Sequence, residues 1–253
     1  MSALATRTTL RCDGLHKNFG GVQAVDNVGF SVDRQRVLGI LGPNGSGKTT
    51  LLNLISGVTA TDAGHIWLDD RDVTRTSPVK HAELGLARTF QNLRLFRNLT
   101  VLENLLIGGH VADRGGARNA IMHPFAAEAA LRDRARGLLG ELGLERDASR
   151  PAGALAYGLQ RRVEIGRSLM SRPSVLLLDE PVAGMNDVEA TSVLDFLQSL
   201  RERDIAQVVV EHNVAFVTQL VDEVLVMDAG KVLMTGKPAD VVRDERVIKA
   251  YLG

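Results

Sequence analysis

Short apolar runs separated by turn residues dominate the first part of the chain. From about Thr9 to Asp33, these runs are interrupted by Gly20-Gly21 and by Asp26-Asn27, which predicts short strands joined by tight turns. Residues 37–41 then form an apolar run of the length that a buried parallel strand requires. The pattern therefore predicts a β-rich N-terminal region followed by the first strand of the core sheet.

Helical spacing appears after the glycine-rich loop that follows this strand. The leucines and isoleucine of residues 51–55 predict a helix that stops at Gly57. Between about Leu86 and Leu159 the pattern is mainly helical, and it includes an alanine- and arginine-rich run from Ala126 to Leu144. We interpret this middle region as an inserted helical lobe.

Strand patterns return in the last third of the chain. Residues 175–178 and 208–210 are apolar and each follows a helical segment, an order typical of an α/β fold with a parallel core sheet. A hairpin is predicted around Asp228-Ala229-Gly230, and a short helix near Val241 to Tyr251.

Composition limits the classes of protein to consider. The chain has 253 residues, 45% of them hydrophobic, which fits one packed globular domain. Lysine plus arginine and aspartate plus glutamate number 30 each, so no overall field attracts nucleic acid. Cys12 is the single cysteine, which excludes a disulfide framework and fits a reducing cytosol.

Neither a signal peptide nor a membrane span is expected. Residues 1–11 contain no apolar stretch of signal-peptide length, and the longest apolar runs elsewhere have the length of strands. We therefore expect a soluble chain that is not secreted, and any channel it serves must belong to other polypeptides.

The glycine-rich loop satisfies the phosphate-loop pattern G-x-x-x-x-G-K-[ST], and it lies between a predicted strand and a predicted helix. Glycines let backbone N–H groups point inward, and a helix N-terminus adds partial positive charge toward phosphates. A chance match in a glycine-rich turn is the alternative, and the flanking elements argue against it. The loop residues are Gly42, Pro43, Asn44, Gly45, Ser46, Gly47, Lys48 and Thr49.

A second acidic motif fits the same chemistry. The apolar residues 175–178 end in Asp179 and Glu180, so a buried strand delivers adjacent carboxylates at its end. Asp179 would hold Mg²⁺ through water, and Glu180 would orient or deprotonate the attacking water. An apolar run that ends in two carboxylates is weak evidence for a nucleotide site when it stands alone. It becomes persuasive when the chain also contains a phosphate loop.

The segment about seventeen residues before the second carboxylate pair resembles the signature of ABC ATPases. The resemblance covers essentially the whole chain and implies a P-loop NTPase (RecA-like) core, an N-terminal antiparallel β subdomain and an inserted α-helical subdomain. It assigns residues 1–87 and 162–253 to the first two parts and residues 88–161 to the helical lobe. The segment reads Leu155, Ala156, Tyr157, Gly158, Leu159, Gln160, Arg161 and Arg162.

In that family the signature of one subunit caps the γ-phosphate bound by the other, so two chains enclose two ATP molecules. The resemblance also implies that Phe19 stacks on adenine, that the phosphate loop extends to Thr50, and that His212 contacts the γ-phosphate. Mg²⁺ would be held by Thr49 and Asp179 and sensed by Gln91. Residues 183–186 occupy the place of the loop that reaches across the dimer.

Each assignment has a structural alternative. Phe19 is otherwise a partly buried strand aromatic, Gln91 a surface amide, and His212 a structural or solvated histidine. Two residues also depart from the commonest signature: Ala156 lacks a hydroxyl for the γ-phosphate, and Leu159 replaces a glutamine. One lost neutral hydrogen bond costs about 0.5 to 1.5 kcal/mol, so we expect a competent but slower site.

Several segments resemble the ATPases of branched-chain amino-acid uptake systems. The resemblance implies that the transported cargo is branched-chain amino acids. The partners would then be a second identical or related ATPase, two membrane-spanning permease subunits and an external substrate-binding protein, with the chain at the cytoplasmic face of the membrane. Another cargo (urea, short amides or an exported lipid), a soluble ABC protein of DNA repair or translation, and a cassette that binds ATP without hydrolysis remain alternatives. The segments are residues 85–96, 99–104, 210–213 and 247–253.

Overall fold

The computed structural model describes residues 8–112 and 124–252, so the expectation for the first seven residues lies outside the described part. Within that part the chain forms two β-sheets and nine α-helices. The strands are β1 (Thr8–Phe19), β2 (Val22–Asp33), β3 (Val37–Leu41), β4 (Ala63–Leu68), β5 (Arg71–Asp72), β6 (Leu86–Arg88), β7 (Val175–Asp179), β8 (Ala206–Val210), β9 (Glu223–Asp228) and β10 (Lys231–Gly236). The helices are α1 (Lys48–Ile55), α2 (Pro78–Glu83), α3 (Val101–Ala112), α4 (Pro124–Leu142), α5 (Tyr157–Leu169), α6 (Asp187–Ser199), α7 (Val214–Leu220), α8 (Pro238–Val241) and α9 (Glu245–Leu252).

The N-terminal region forms a four-stranded antiparallel sheet in the order β2-β1-β4-β5. The tight turn at Gly20-Gly21 is confirmed, but the turn predicted at Asp26-Asn27 is wrong, because both residues lie inside the 12-residue strand β2. Asn27 has a φ of 54°. The pairing of β1 with β2 is irregular in this region, so a left-handed asparagine here accompanies a shift of register rather than a chain reversal.

The core is a six-stranded sheet in the order β10-β9-β3-β8-β7-β6. All neighbouring strands are parallel except β9 and β10, which form the predicted hairpin. The carboxyl ends of β3, β8, β7 and β6 therefore meet at one edge of the sheet. Ligands bind at this edge in open α/β sheets.

Alternate residues of the central strands point to opposite faces of the core sheet. Leu38, Ile40 and Leu177 pack with α1 and with the antiparallel sheet. Leu176 and Leu178 pack with α6, α7 and the helices of the middle region. Helix α1 thus lies between the two sheets, and this position holds the loop that precedes it at the edge of the core.

The region between β6 and β7 contains α3, α4 and α5, as the helical pattern predicts. The predicted boundary at 87/88 falls inside β6, and the boundary at 161/162 falls inside α5, so the division at those two points stays a prediction. No helix in the described ranges combines the length and apolarity that a membrane span requires.

Candidate functional site

The phosphate loop connects β3 to α1 with three glycines at positive φ. Gly42, Gly45 and Gly47 have φ values of 152°, 79° and 102°. A Cβ atom on Gly47 would lie 2.2 Å from the carbonyl oxygen of Ala24. Only glycine fits this close approach in a left-handed conformation.

Helix α1 begins without a capping side chain. Gly47 stands at its N-cap and makes no side-chain hydrogen bond, whereas Asn186 and Asn213 cap α6 and α7 with their side chains. The first N–H groups of α1 therefore stay available to an anion, which is the arrangement that phosphate loops use.

Lys48 supplies the positive charge of the loop. Its Nζ donates to the carbonyl oxygens of Gly42 at 2.7 Å and Pro43 at 2.9 Å. Burial lowers the pKa of Lys48, while the carboxylates of Glu180 and Asp179 oppose this shift. A buried ammonium with backbone acceptors and carboxylates nearby is well placed to exchange those contacts for a phosphate.

Glu180 lies between Gln91 and His212. Its Oε2 accepts from Nε2 of Gln91 at 2.9 Å, and its Oε1 is 2.9 Å from Nε2 of His212. Glu180 has a φ of 47°, a strained backbone for a residue with a Cβ. The structure thus brings together three of the side chains that the sequence assigned to one reaction centre.

These side chains and the phosphate loop line one cavity of about 510 Å³. Phe19 is not among the lining residues; it is 50% exposed, and Nζ of Lys17 lies 5.3 Å from its ring centroid. The sequence analysis gave no role in the site to the lining residues from β2 or from the β9–β10 turn. The full lining is Val22, Gln23, Ala24, Asn44, Gly45, Ser46, Gly47, Lys48, Thr49, Thr50, Gln91, Glu180, His212 and Ala229.

Asp179 forms a buried ion pair with Arg88 at the end of β6. Nη2 of Arg88 lies 3.1 Å from Oδ2 of Asp179, and both side chains are less than one-tenth exposed. Nη1 of Arg88 donates to Asn53 Oδ1 at 2.8 Å and to Ser56 Oγ at 2.9 Å. One arginine therefore connects β7 to the end of α1, a role that the sequence analysis missed.

Glu211 is a second residue that the sequence analysis did not assign. Its carboxylate accepts from the backbone N–H groups of Val182 at 2.9 Å and His212 at 3.1 Å. Burial raises the pKa of Glu211, and the nearby charge of Glu180 adds to the increase. Glu211 fixes the backbone on which His212 stands, so its contribution is to hold the histidine in place.

The signature residues lie at the start of α5. Ala156 occupies the N-cap without a side-chain hydrogen bond, and Tyr157 is 40% exposed. Leu155 and Gly158 are buried. Leu159 packs against the hydrophobic core, which gives a structural reason for leucine in place of glutamine. An uncapped helix start is thus presented at the surface.

The residues present fit a magnesium ion that arrives with a nucleotide. Within residues 8–112 and 124–252, no group of three or more His, Cys, Asp or Glu side chains could hold a metal alone. Thr49 and Gln91 line the cavity. Asp179 is the last residue of β7, directly before Glu180. Mg²⁺ commonly binds in this way, with few protein ligands and with substrate phosphates and waters completing its octahedron.

Comparison with known proteins identifies the family. The sequence profile described as ABC transporter matches residues 25–183. A second profile, described as branched-chain amino acid ATP-binding cassette transporter, matches residues 231–253. The first match includes the phosphate loop, Gln91, Asp179 and Glu180 but not His212, and the second begins at β10 and includes α8 and α9.

Similar proteins and structures extend over almost the whole chain. The high-affinity branched-chain amino acid transport ATP-binding protein BraF of Pseudomonas aeruginosa is 38% identical, over 98% of this chain and 99% of its own length. LivG of Escherichia coli, which carries the same description, is 36% identical over 96% and 97%.

A crystal structure of a nucleotide-free ATP-binding cassette from an ABC transporter has a TM-score of 0.86 at 32% identity, covering 97% of this chain and 99% of that one. A crystal structure of the ADP conformation of an ATP-binding cassette from an ABC transporter has a TM-score of 0.85 at 31% identity, covering 98% of this chain and 100% of that one. The predicted P-loop fold and family resemblance are therefore confirmed. The chain belongs to the ABC transporter family, as an ATP-hydrolysing, ATP-binding subunit whose named relatives serve branched-chain amino acid transport.

Proposed function

We propose that Glu180 activates water to attack ATP held by the phosphate loop, and that this hydrolysis powers the import of branched-chain amino acids. The observation that carries the catalytic part is the placement of Glu180 between Gln91 and His212 in one cavity with Lys48. The cargo rests on the named relatives and on the profile matched by residues 231–253.

The triphosphate would bind across the phosphate loop. The free N–H groups at the start of α1, together with Lys48, would surround the β- and γ-phosphates with donors and positive charge. Lys48 would give up its contacts to Gly42 and Pro43 for the phosphate oxygens. Phe19, whose side chain is half exposed, would stack on the adenine.

Hydrolysis would then follow an in-line path. The water oxygen bonds to the γ-phosphorus while the bond from that phosphorus to the β,γ-bridging oxygen breaks, and the water proton passes to Glu180. His212 would donate from Nε2 to the γ-phosphate as charge develops on it. Gln91 would hold the attacking water against Glu180.

A magnesium ion accompanying ATP would be held by Thr49 and, through water, by Asp179, and it supplies charge neutralisation for the phosphates. Arg88 keeps Oδ2 of Asp179 occupied at 3.1 Å. The other carboxylate oxygen is then the one available to a ligand. Gln91 lines the same cavity as Thr49 and would sense the magnesium ion there.

A second subunit would close the site. The start of α5 presents uncapped N–H groups beside the exposed residues Ala156 and Tyr157, which suits a γ-phosphate bound by a partner. The partner is either a second copy or a related ATPase. Two permease subunits and an external substrate-binding protein complete the transporter, with this chain at the cytoplasmic face of the membrane.

Uptake of labelled leucine tests the proposal in cells of the source organism, with and without an intact gene. Unlabelled isoleucine, valine and urea serve as competitors. We expect saturable uptake to disappear without the gene and to return with the wild-type chain but not with Lys48→Ala. A matched control is Lys80→Ala, which removes an exposed lysine that pairs with Glu83 on α2.

The competitors identify the cargo. Competition by isoleucine and valine but not by urea supports branched-chain amino acids. Leucine uptake that persists without the gene would reject this cargo, and urea and short amides would be tested next.

A further inference from the structure

Arg161 and Glu164 form an ion pair that is completely buried in α5. Nη1 of Arg161 lies 2.7 Å from Oε2 of Glu164, and the two side chains are 0% and 1% exposed. Charged side chains are rarely buried to this degree, because removing two charges from water is costly. Neither residue belongs to the site assigned above, so the pair needs a separate explanation.

Both Nη atoms of Arg161 and the second carboxylate oxygen of Glu164 bind the backbone around Gln91. Arg161 donates to the carbonyl oxygens of Phe90 at 2.7 Å and Gln91 at 2.8 Å. Oε1 of Glu164 accepts from the backbone N–H of Arg94 at 2.9 Å. The ion pair therefore holds both ends of the segment formed by residues 90–94.

These contacts suit a charged pair and not an apolar one. Residues 90–94 follow β6 without forming a helix or strand of their own, so their carbonyl and N–H groups have no partner within a regular element. Arg161 supplies two donors from one planar group, while Glu164 neutralises its charge and serves the N–H of Arg94. An arginine has the geometry for three acceptors at once, whereas a lysine ammonium has no fixed fork.

The segment leads directly to the proposed catalytic base. The side chain of Gln91 donates to Glu180 at 2.9 Å, and its own carbonyl is held by Arg161 at 2.8 Å. Arg161 lies four residues after Tyr157, the first residue of α5. The start of α5 and the backbone of Gln91 are therefore joined through the Arg161 side chain.

We propose that Arg161 and Glu164 are positioning residues that act through Gln91, so that the start of α5 and the Gln91–Glu180 contact move as one unit. The link rests on the proposed function, in which α5 meets the phosphate of a partner subunit and Gln91 holds the water. Nucleotide closure at one site would then be transmitted to the catalytic geometry of the other.

The test uses the full-length chain with three substitutions on α5. Arg161→Met removes the donors and leaves Glu164 unpaired. The double variant Arg161→Met, Glu164→Leu removes both charges, so a neutral core of similar volume remains. Arg162→Met is the matched control: Arg162 is the neighbouring arginine of the same helix, but it donates to the carbonyls of Leu142 and Ser192 and does not contact residues 90–94.

Three quantities are measured for each variant: the ATP dissociation constant, the single-turnover rate of hydrolysis with Mg·ATP, and hydrogen exchange in a peptide that covers residues 90–97. We expect the double variant to bind ATP within about threefold of wild type and to hydrolyse it about ten- to a hundredfold more slowly. The amide of Arg94 should exchange faster in both Arg161 variants and stay protected in the Arg162→Met control.

Repeating the measurement in a Gln91→Ala background separates positioning from simple stabilisation. If Arg161 acts through Gln91, the double variant slows hydrolysis by less than about twofold in that background, because the side chain that it positions is already gone. Additive losses would overturn the proposal. Wild-type rates and unchanged exchange in the double variant would overturn it as well.

Failure of the proposed function looks different. In that case Glu180→Gln would hydrolyse ATP at the wild-type rate, while the exchange of residues 90–97 would still decide whether the ion pair holds the segment. Unchanged exchange in the Arg161 variants would then reject the link on its own.

Discussion

One oxygen of the Glu180 carboxylate lies 2.9 Å from Nε2 of His212, although 32 positions separate the two residues in the chain. Glu180 follows β7 and His212 follows β8, and these strands are neighbours in the parallel sheet. The shared edge brings the two side chains together, with Gln91 on the other oxygen.

His212→Ala should slow ATP hydrolysis by about a hundredfold, since one hydrogen-bond donor aimed at developing charge commonly contributes that much. ATP affinity should change by less than about threefold, because Lys48 and the free N–H groups of α1 remain. Single-turnover hydrolysis and equilibrium binding measure the two effects. His65→Ala, an exposed histidine of β4, is the control, and a His212→Ala rate equal to that control would contradict the role.

Arg88→Met should lower the free energy of unfolding by about 3–5 kcal/mol, because it leaves the buried carboxylate of Asp179 without its partner. Urea denaturation measures the loss. Arg136→Met removes an exposed arginine that pairs with Asp133 and should cost less than about 1 kcal/mol. If Arg88→Met lowers the free energy of unfolding by no more than Arg136→Met does, the Arg88–Asp179 pair contributes little to stability.

Tyr251→Phe should destabilise the chain by about 1 kcal/mol. The hydroxyl of Tyr251 in α9 accepts from the backbone N–H of Gly42 at 2.7 Å, and phenylalanine leaves that donor unpaired. The contact joins the C-terminal helix to the first residue of the phosphate loop. Thermal unfolding of wild type and variant checks the prediction, and an unchanged midpoint would mean that water replaces the hydroxyl without loss.

His81 should make stability depend on pH. Its ring is 1% exposed, and burial lowers its pKa below the ordinary value of 6.5, although hydrogen bonds to Ile55 and Val73 oppose the shift. Below pH 6.5 the unfolded chain takes up a proton that the folded ring resists. The free energy of unfolding should therefore fall on acidification, by at most about 1.4 kcal/mol per pH unit from this group.

Urea titrations at pH 7.5 and 5.5 measure this dependence in wild type and in His81→Gln. The variant should lose the part of the dependence that His81 contributes, so its stability should change less between the two pH values. The same change in both proteins would show that other groups cause the acid sensitivity.

The phosphate loop and the Asp179-Glu180 motif could be placed from the sequence because their chemistry depends on neighbouring residues. The α/β class followed from the order of strands and helices, whereas the ABC cassette fold followed from the family resemblance, and the comparisons confirm it. The roles of the individual site residues stay predictions. Gln91, Glu180 and His212 meet beside the phosphate loop because the strands that precede them are parallel neighbours, whereas Phe19 and the signature residues lie outside that cavity.

Contacts between distant residues could not be predicted in the same way. Arg88 meets Asp179 across 91 positions, and Arg161 meets Gln91 across 70, so no local spacing distinguishes these arginines from solvated ones. Asp26-Asn27 misled the turn prediction because asparagine tolerates positive φ in strand irregularities as well as in turns. In each case tertiary packing decides between residue environments that have the same local sequence.

Glu180→Gln tests the central claim most directly. Single-turnover release of phosphate from Mg·ATP is measured with Glu180→Gln and with Glu83→Gln, an exposed glutamate of α2, as control. The account predicts that Glu180→Gln binds ATP, accumulates as a closed ATP-bound dimer, and releases phosphate at least about a hundredfold more slowly. Phosphate release by Glu180→Gln at the rate of wild type and control would contradict the role of Glu180 as the base.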